Sequence, residues 1–119
     1  MEWNLDKKRS LSTQIYEHIC LGIAKGVFKP GERLLSVRDI AVVAGVNPNT
    51  VQSSFNTLEA DGILYSVRGS GWYVAEDVSK AKQNLKSLQK EKTAAFFADM
   101  EKLGMTAEET KNYIKEWEI

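Results

Sequence analysis

The chain has 119 residues, 43% of them hydrophobic and 27% charged, with two prolines. That length and balance fit one soluble domain, or a small domain with an appendage that needs help to stay folded, and leave little room for two functional sites. Sixteen Lys/Arg offset sixteen Asp/Glu, so the total charge excludes a strongly basic or acidic protein. No apolar run approaches the ~18 residues that span a bilayer. The N-terminal MEWNLDKKRS has no apolar stretch after its basic cluster. No membrane partner is expected, and a cytoplasmic location is.

A lone cysteine, Cys20, excludes an internal disulfide, and no CxxC or Cys/His cluster suggests a metal. Cys20 reads as a small buried hydrophobe and His18, on the polar side of the first helical pattern, as a solvated surface histidine. Ser, His and Cys are too few and scattered for a nucleophile and base, and no carboxylate pair stands out, so no catalytic residue, cofactor or enzyme activity is expected.

From Leu11 to Val27, Leu11, Ile15, Ile19 and Ile23 recur every fourth position, with Tyr16, Cys20, Ala24 and Val27 as a second row. This predicts a helix with a wide apolar face that packs on the core and on something outside it. Lys29, Pro30 and Gly31 end the element. Ser36 and Asp39 resemble a capping box opening a two-turn helix through Val37, Ile40, Ala41 and Ala44. Gly45 closes that helix, Val46 plugs the core, Asn47 caps the next helix and Pro48 takes its first position.

In the third helix Val51, Phe55 and Leu58 share one face, while Asn49, Gln52, Ser53 and Asn56 share the opposite one. A solvated helix usually shows Lys and Glu. A face of amides and hydroxyls suits hydrogen bonding to base edges, although a plain polar surface is the alternative. Gly62 stops the helix, and ILYSV and WYVA flank the turn RGSG as a hairpin whose bare glycine backbone can approach DNA with Arg68 beside it. No helix N-cap or GK[ST] follows to make RGSG an enzyme phosphate loop.

The net charge of zero argues against nucleic acid, because phosphate contacts normally leave a basic footprint. Residues 1–75 carry eight Lys/Arg and seven Asp/Glu, so placement decides. Lys7, Lys8, Arg9, Arg33, Arg38 and Arg68 make a basic face if Glu17, Glu59 and Asp61 point elsewhere.

From Asp77 to Leu103 there is no proline or glycine, and Leu85, Leu88, Phe96, Met100 and Leu103 form a stripe interrupted by Lys92, predicting one long helix ended by Gly104. Thr106 with Glu109 opens a last helix in which Tyr113, Ile114 and Trp117 share a face. Two helices cannot bury these aromatics alone. A two-fold homodimer through the stripe, the last helix and the wide face of the first helix would cover them; a monomer with a folded-back tail is the alternative. Phe96, Phe97, Tyr113 and Trp117 are read as packing residues, with a small-molecule pocket as the other possibility.

PGERLLSVRDIA, GVNPNTV, LEADGI and YSVRGSGWYV resemble PGERLPSVRDLA, GVNPNTV, LEAEGL and YSRRGSGTFV of the GntR family of bacterial transcription regulators. The run NPNTVQ and the short remainder look most like the YtrA subfamily, with no room expected for a large effector domain. The resemblance implies an α+β, mainly helical fold: a winged helix-turn-helix domain over 1–76, with 1–10 as an N-terminal arm, and a helical dimerisation region over 77–119. It implies that Ser36 and Arg38 anchor the second helix on DNA, that Asn47, Asn49, Thr50 and Gln52 face the major groove, and that Arg68 and Gly69 form the wing tip. Ser53 lies on the same polar face, although family members often have arginine there, as they often have a basic residue at Val67 and proline at Leu35. Fewer cations imply weaker nonspecific binding and a shallower salt dependence. Trp72 replaces a smaller wing residue and is expected to brace the hairpin.

The expected function is therefore a cytoplasmic homodimeric repressor that binds double-stranded DNA at an inverted-repeat operator, with an ABC-transporter operon as the target the resemblance implies. A winged-helix protein-interaction module and an effector-gated regulator with a ligand in the tail are the alternatives.

Overall fold

The computed structural model describes residues 2–118, so Met1 and Ile119, the outermost positions of the expected ranges, lie outside the described residues. The chain forms two compact units, one up to Leu85 and the other from Lys86 onward.

The first unit holds α1 (Leu11–Ala24), α2 (Val37–Ala44), α3 (Pro48–Ala60), β1 (Leu64–Val67), β2 (Gly71–Val74) and the first turns of α4 (Ser79–Lys102). Local chemistry sets each boundary. Ser10 caps α1 by accepting the Thr13 N–H, and Ser36 caps α2 by accepting the Asp39 N–H at 3.1 Å. Gly45 ends α2 at φ +70°, a left-handed conformation that costs a side-chain-bearing residue about 1 kcal/mol or more. Asn47 Oδ1 then accepts the Asn49 N–H at 2.8 Å, with Pro48 in the first turn of α3.

One core serves all these elements. Ile15, Ile19 and Cys20 of α1, Val51, Phe55 and Leu58 of α3, and Leu64 and Val74 of the hairpin are essentially inaccessible to solvent. Each large apolar side chain buried this way contributes roughly 1.5–3 kcal/mol. Ser54, on the same side of α3, donates its hydroxyl to the Ser12 carbonyl at 2.6 Å and pins α3 across α1. Burial pushes the Cys20 thiol up to about 12, so it is protonated and unreactive, as expected of a small hydrophobe.

The hairpin is antiparallel, with Leu64 opposite Val74 and Val67 opposite Gly71. The segment after α1 lies along its outer edge: Val74 N–H donates to Glu32, Leu34 N–H to Trp72 and Gly31 N–H to Val74. The sequence itself assigns no strand pairing to this third rail, where Lys29, Pro30 and Gly31 only end the first helical element. Trp72 meets Phe55 edge-on at 5.3 Å and so braces the hairpin on α3.

Two expectations for α1 need correction. The helix stops at Ala24, and Val27, placed in its second apolar row, lies beyond the end and is exposed. His18 is not solvated. Its ring stacks on Trp3 of the arm with centroids 3.8 Å apart, and its buried Nε2 has no hydrogen-bond partner. Helical projection assigned it to the polar side, but the arm covers that side: Gln14 exchanges two 2.7 Å hydrogen bonds with the Asp6 backbone, and Leu5 packs on the core.

Burial holds the His18 imidazole below its ordinary 6.5. The unfolded chain therefore binds the proton first, so this contribution to stability is full above pH 6.5 and is lost as pH falls toward the lower folded-state value. Acidification from pH 7.5 to 5.5 should lower Tm and alter Trp3 fluorescence. His18→Phe, which keeps a stacked ring, should flatten both responses, and an unchanged pH profile in that variant would remove His18 as their source.

The second unit comprises the rest of α4 and α5 (Ala107–Lys115). Thr106 and Glu109 form the reciprocal capping box expected from sequence, at 3.0 and 3.1 Å. Leu103 lies one residue past the end of α4 and is 78% exposed, while Trp117 and Tyr113 are 60% and 53% exposed. Phe96, Met100, Tyr113, Ile114 and Trp117 line an apolar groove of about 480 Å³. Two helices provide too little surface to enclose these side chains.

Candidate nucleic-acid interface

Asn49, Gln52, Ser53 and Asn56 are all exposed on α3, opposite the buried Val51, Phe55 and Leu58, and Thr50 is half-buried at the margin. Gln52 Nε2 donates to Asn56 Oδ1 at 2.8 Å, which orders two amides one turn apart. Such a pair leaves the Gln52 carbonyl, the second Gln52 N–H proton and both Asn56 N–H protons free for base edges. The face presents donors and acceptors with no charge.

Asn47 and Ser36 have a double position. Each spends a side-chain oxygen capping its helix, so what remains for a partner is the Asn47 amide N–H₂ and the Ser36 hydroxyl proton. Both sit at positive helix ends. Arg38 is exposed in the first turn of α2, and Arg68 and Gly69 are exposed at the hairpin tip.

The acids that would oppose DNA are engaged elsewhere. The Glu59 carboxylate accepts the Ser66 N–H at 3.1 Å and the Ser66 hydroxyl at 2.7 Å, tying the hairpin to the C-terminal turn of α3. Asp61 accepts the Tyr16 hydroxyl, and Glu17 lies 3.7 Å from Arg9. Arg9 is thereby partly neutralised. Lys7 lies with Trp3, Leu5, Ala44, Gly45 and Val46 around a shared groove, which brings the arm beside the turn between α2 and α3.

Arg33 gains a role that sequence order did not indicate. It pairs with Tyr73 across the third rail, and its Nε would stand 3.2 Å from a Cβ at Gly71. The second glycine of RGSG thus accommodates a guanidinium beside the hairpin, at φ +140°, where side chains are rarely tolerated. The signal, a glycine and an arginine 38 positions apart, becomes meaningful only when the rail pairs with β2.

A short helix, a glycine-closed turn, a second helix with a polar outer face and a braced hairpin define a winged helix-turn-helix DNA-binding domain. The family model "Bacterial regulatory proteins, gntR family" matches residues 11–74. The chain is 36% identical over 113 residues to the HTH-type transcriptional repressor YtrA of Bacillus subtilis, covering 88% of this chain and 85% of that one. A GntR family transcriptional regulator from Listeria monocytogenes superposes with TM-score 0.81 at 35% identity, covering 96% of this chain and all of the other. The DNA-binding domain of AraR in complex with operator ORE1 superposes with TM-score 0.53 at 27% identity, over 63% of this chain and 94% of that one.

The chain belongs to the GntR family of bacterial regulatory proteins and is YtrA-like within it. It is a transcription regulator with a DNA-binding helix-turn-helix, in a family of DNA-binding proteins rather than enzymes. Among the described residues no helix is long and apolar enough to cross a membrane.

Proposed function

We propose that the protein is a homodimeric repressor that occupies an inverted-repeat operator and blocks the promoter, with a transporter operon as its target. In this reading residues 1–76 are the reading head and 77–119 the dimerisation region. The observation that carries it is the exposed, uncharged amide face of α3, Asn49, Gln52 and Asn56, set between a capped helix start and an arginine-tipped hairpin. Asn47 and Thr50 flank that face, Ser53 lies on it, Ser36 and Arg38 hold phosphates, and Arg68 and Gly69 contact DNA at the wing. Leu85, Leu88, Phe96, Met100, Leu103, Tyr113, Ile114 and Trp117 supply the dimer contact, a use supported by the exposed aromatics of the tail.

Anisotropy titration of the full chain against the upstream region of its own gene, at two salt concentrations, tests the proposal. Preference over random DNA is expected, and equal binding would leave the protein-interaction alternative. Gln52→Ala should weaken specific binding by about 1–3 kcal/mol and leave nonspecific binding nearly unchanged. Arg38→Ala should instead weaken both and flatten the log–log salt slope by about one unit. Equal losses on operator and random DNA for Gln52→Ala would place that residue outside base recognition.

The groove lined by Phe96, Met100, Tyr113, Ile114 and Trp117 also falls, at about 480 Å³, within the range of small-molecule sites. Thermal-shift screening against metabolites addresses effector gating. A uniformly silent screen leaves operator occupancy set by protein level.

A further inference from the structure

Three side chains stand in a row across the outer face of the hairpin and its third rail. Tyr73 lies opposite Tyr65 on β1 and opposite Arg33 on the rail, and the two tyrosine rings stack with centroids 5.5 Å apart. Strand alternation fixes which face this is. Trp72 meets Phe55 and Leu34 is buried, so their neighbours Gly71, Tyr73 and Arg33 turn the other way, away from the core.

Arg33 is exposed at the end of this row, and its guanidinium lies over Gly71: Nε, Nη2 and Cζ stand 3.2, 3.5 and 3.8 Å from where a Cβ would be. Val67, the cross-strand partner of Gly71, is exposed beside it. The turn next to the guanidinium is itself ordered, because Ser70 donates its N–H to the Val67 carbonyl at 2.9 Å and its hydroxyl is hydrogen-bonded to the Tyr73 hydroxyl.

Nothing inside the protein uses this cation. Arg9 faces Glu17, but among the described residues no carboxylate pairs with the Arg33 guanidinium. A surface guanidinium without an internal partner keeps its donors for an external anion. Its place along the chain says which anion. Arg33 precedes Ser36, the cap of α2, by three residues, a span of at most about 11 Å, and Gly71 follows Gly69 by two, at most about 7 Å. The guanidinium is therefore within short reach of both the start of α2 and the hairpin tip, the two places given to DNA under the proposed function.

We infer that Arg33 is a phosphate-binding residue that joins those two anchors: it holds a DNA phosphate beside the wing, and Gly71 lacks a side chain so that the guanidinium can occupy that place. This rests on the reading of the hairpin as a DNA contact. Arginine suits the role because its planar fork donates two parallel hydrogen bonds to a phosphate. Such a contact positions the protein on the duplex and carries no sequence information.

The test is anisotropy titration of the full chain on a duplex it selects from a random-sequence pool and on random duplex, over a series of salt concentrations. Release of one counterion is worth about 5-fold in affinity at ~0.15 M salt, so Arg33→Gln should lose about 5-fold on both duplexes and lower the log–log salt slope by about 0.9. Arg33→Lys should keep the slope, and Arg33→Gln/Val67→Lys, which returns a cation to the residue opposite Gly71, should restore it. All three should melt as wild type does. Arg68→Ala is the control for the hairpin. If Arg68→Ala loses affinity and Arg33→Gln does not, this inference fails alone; if neither loses affinity, the reading of the hairpin fails with it. A loss confined to the selected duplex overturns the phosphate assignment in favour of base readout. A loss with an unchanged salt slope and a lowered Tm overturns it too, because it marks a role in folding.

Discussion

Removal of every residue after Leu85 is expected to leave a folded, monomeric DNA-binding unit whose affinity for an inverted-repeat operator is lower by about 100-fold or more, with half-site affinity unchanged. The expectation follows from two exposures. Tyr113 and Trp117 keep more than half their surface in solvent, whereas Phe55 and Leu58 in the first unit keep none. Exposed aromatics on a two-helix unit are surface awaiting a partner. Linking two heads makes the second binding event intramolecular, which raises operator affinity without adding a DNA contact. The cut belongs after Leu85, not after Glu76, because Val78 and Ala81 pack on the core of the first unit and Asn84 bonds to Tyr16. Sedimentation velocity and anisotropy are the measurements, with Tyr113→Glu/Trp117→Glu as the full-length counterpart. A truncated chain that still dimerises would overturn the assignment of the tail.

Phe55→Ala should cost about 3–5 kcal/mol of folding stability, a large share of the roughly 5–15 kcal/mol typical of a domain. Phe55 is fully buried behind the polar face of α3 and carries the edge-on contact with Trp72. Its loss empties space beneath both the recognition helix and the wing. Phe55→Leu, which refills much of that space, should cost less than half as much. Denaturant unfolding monitored by tryptophan fluorescence measures both. A cost below about 1 kcal/mol for the alanine variant would mean that α3 and the hairpin do not share one cooperative core.

Much of the reading head is legible because its signals are local. Ser36, Gly45, Asn47 and the Thr106/Glu109 pair each act on backbone groups within a few residues; Thr106 and Glu109 form the full capping box, whereas at α2 only the Ser36 half of the expected box forms. The burial of Val51, Phe55 and Leu58 likewise follows from a 3.6-residue period. His18 lies beyond the reach of such local signals. Periodicity assigned it to the polar side of α1, and only the docking of Trp3 from the arm reveals that this side is covered. The third rail at residues 31–34 escapes for a related reason, since it is too short to show alternation and exists only as the edge partner of β2.

By itself, the sequence determined the helices, their caps, the hairpin and the polar face of α3, because turn chemistry and side-chain period act over less than about four residues. The tertiary structure alone decided which side chains meet across the chain. Tyr16 finds Asp61 45 positions away and Asn84 68 positions away, Arg33 finds Gly71, and Trp3 finds His18. Those pairings depend on how three helices, a hairpin, the first turns of α4 and the N-terminal arm close around one core. Helical period reports which face of an element is covered, but not which residue covers it.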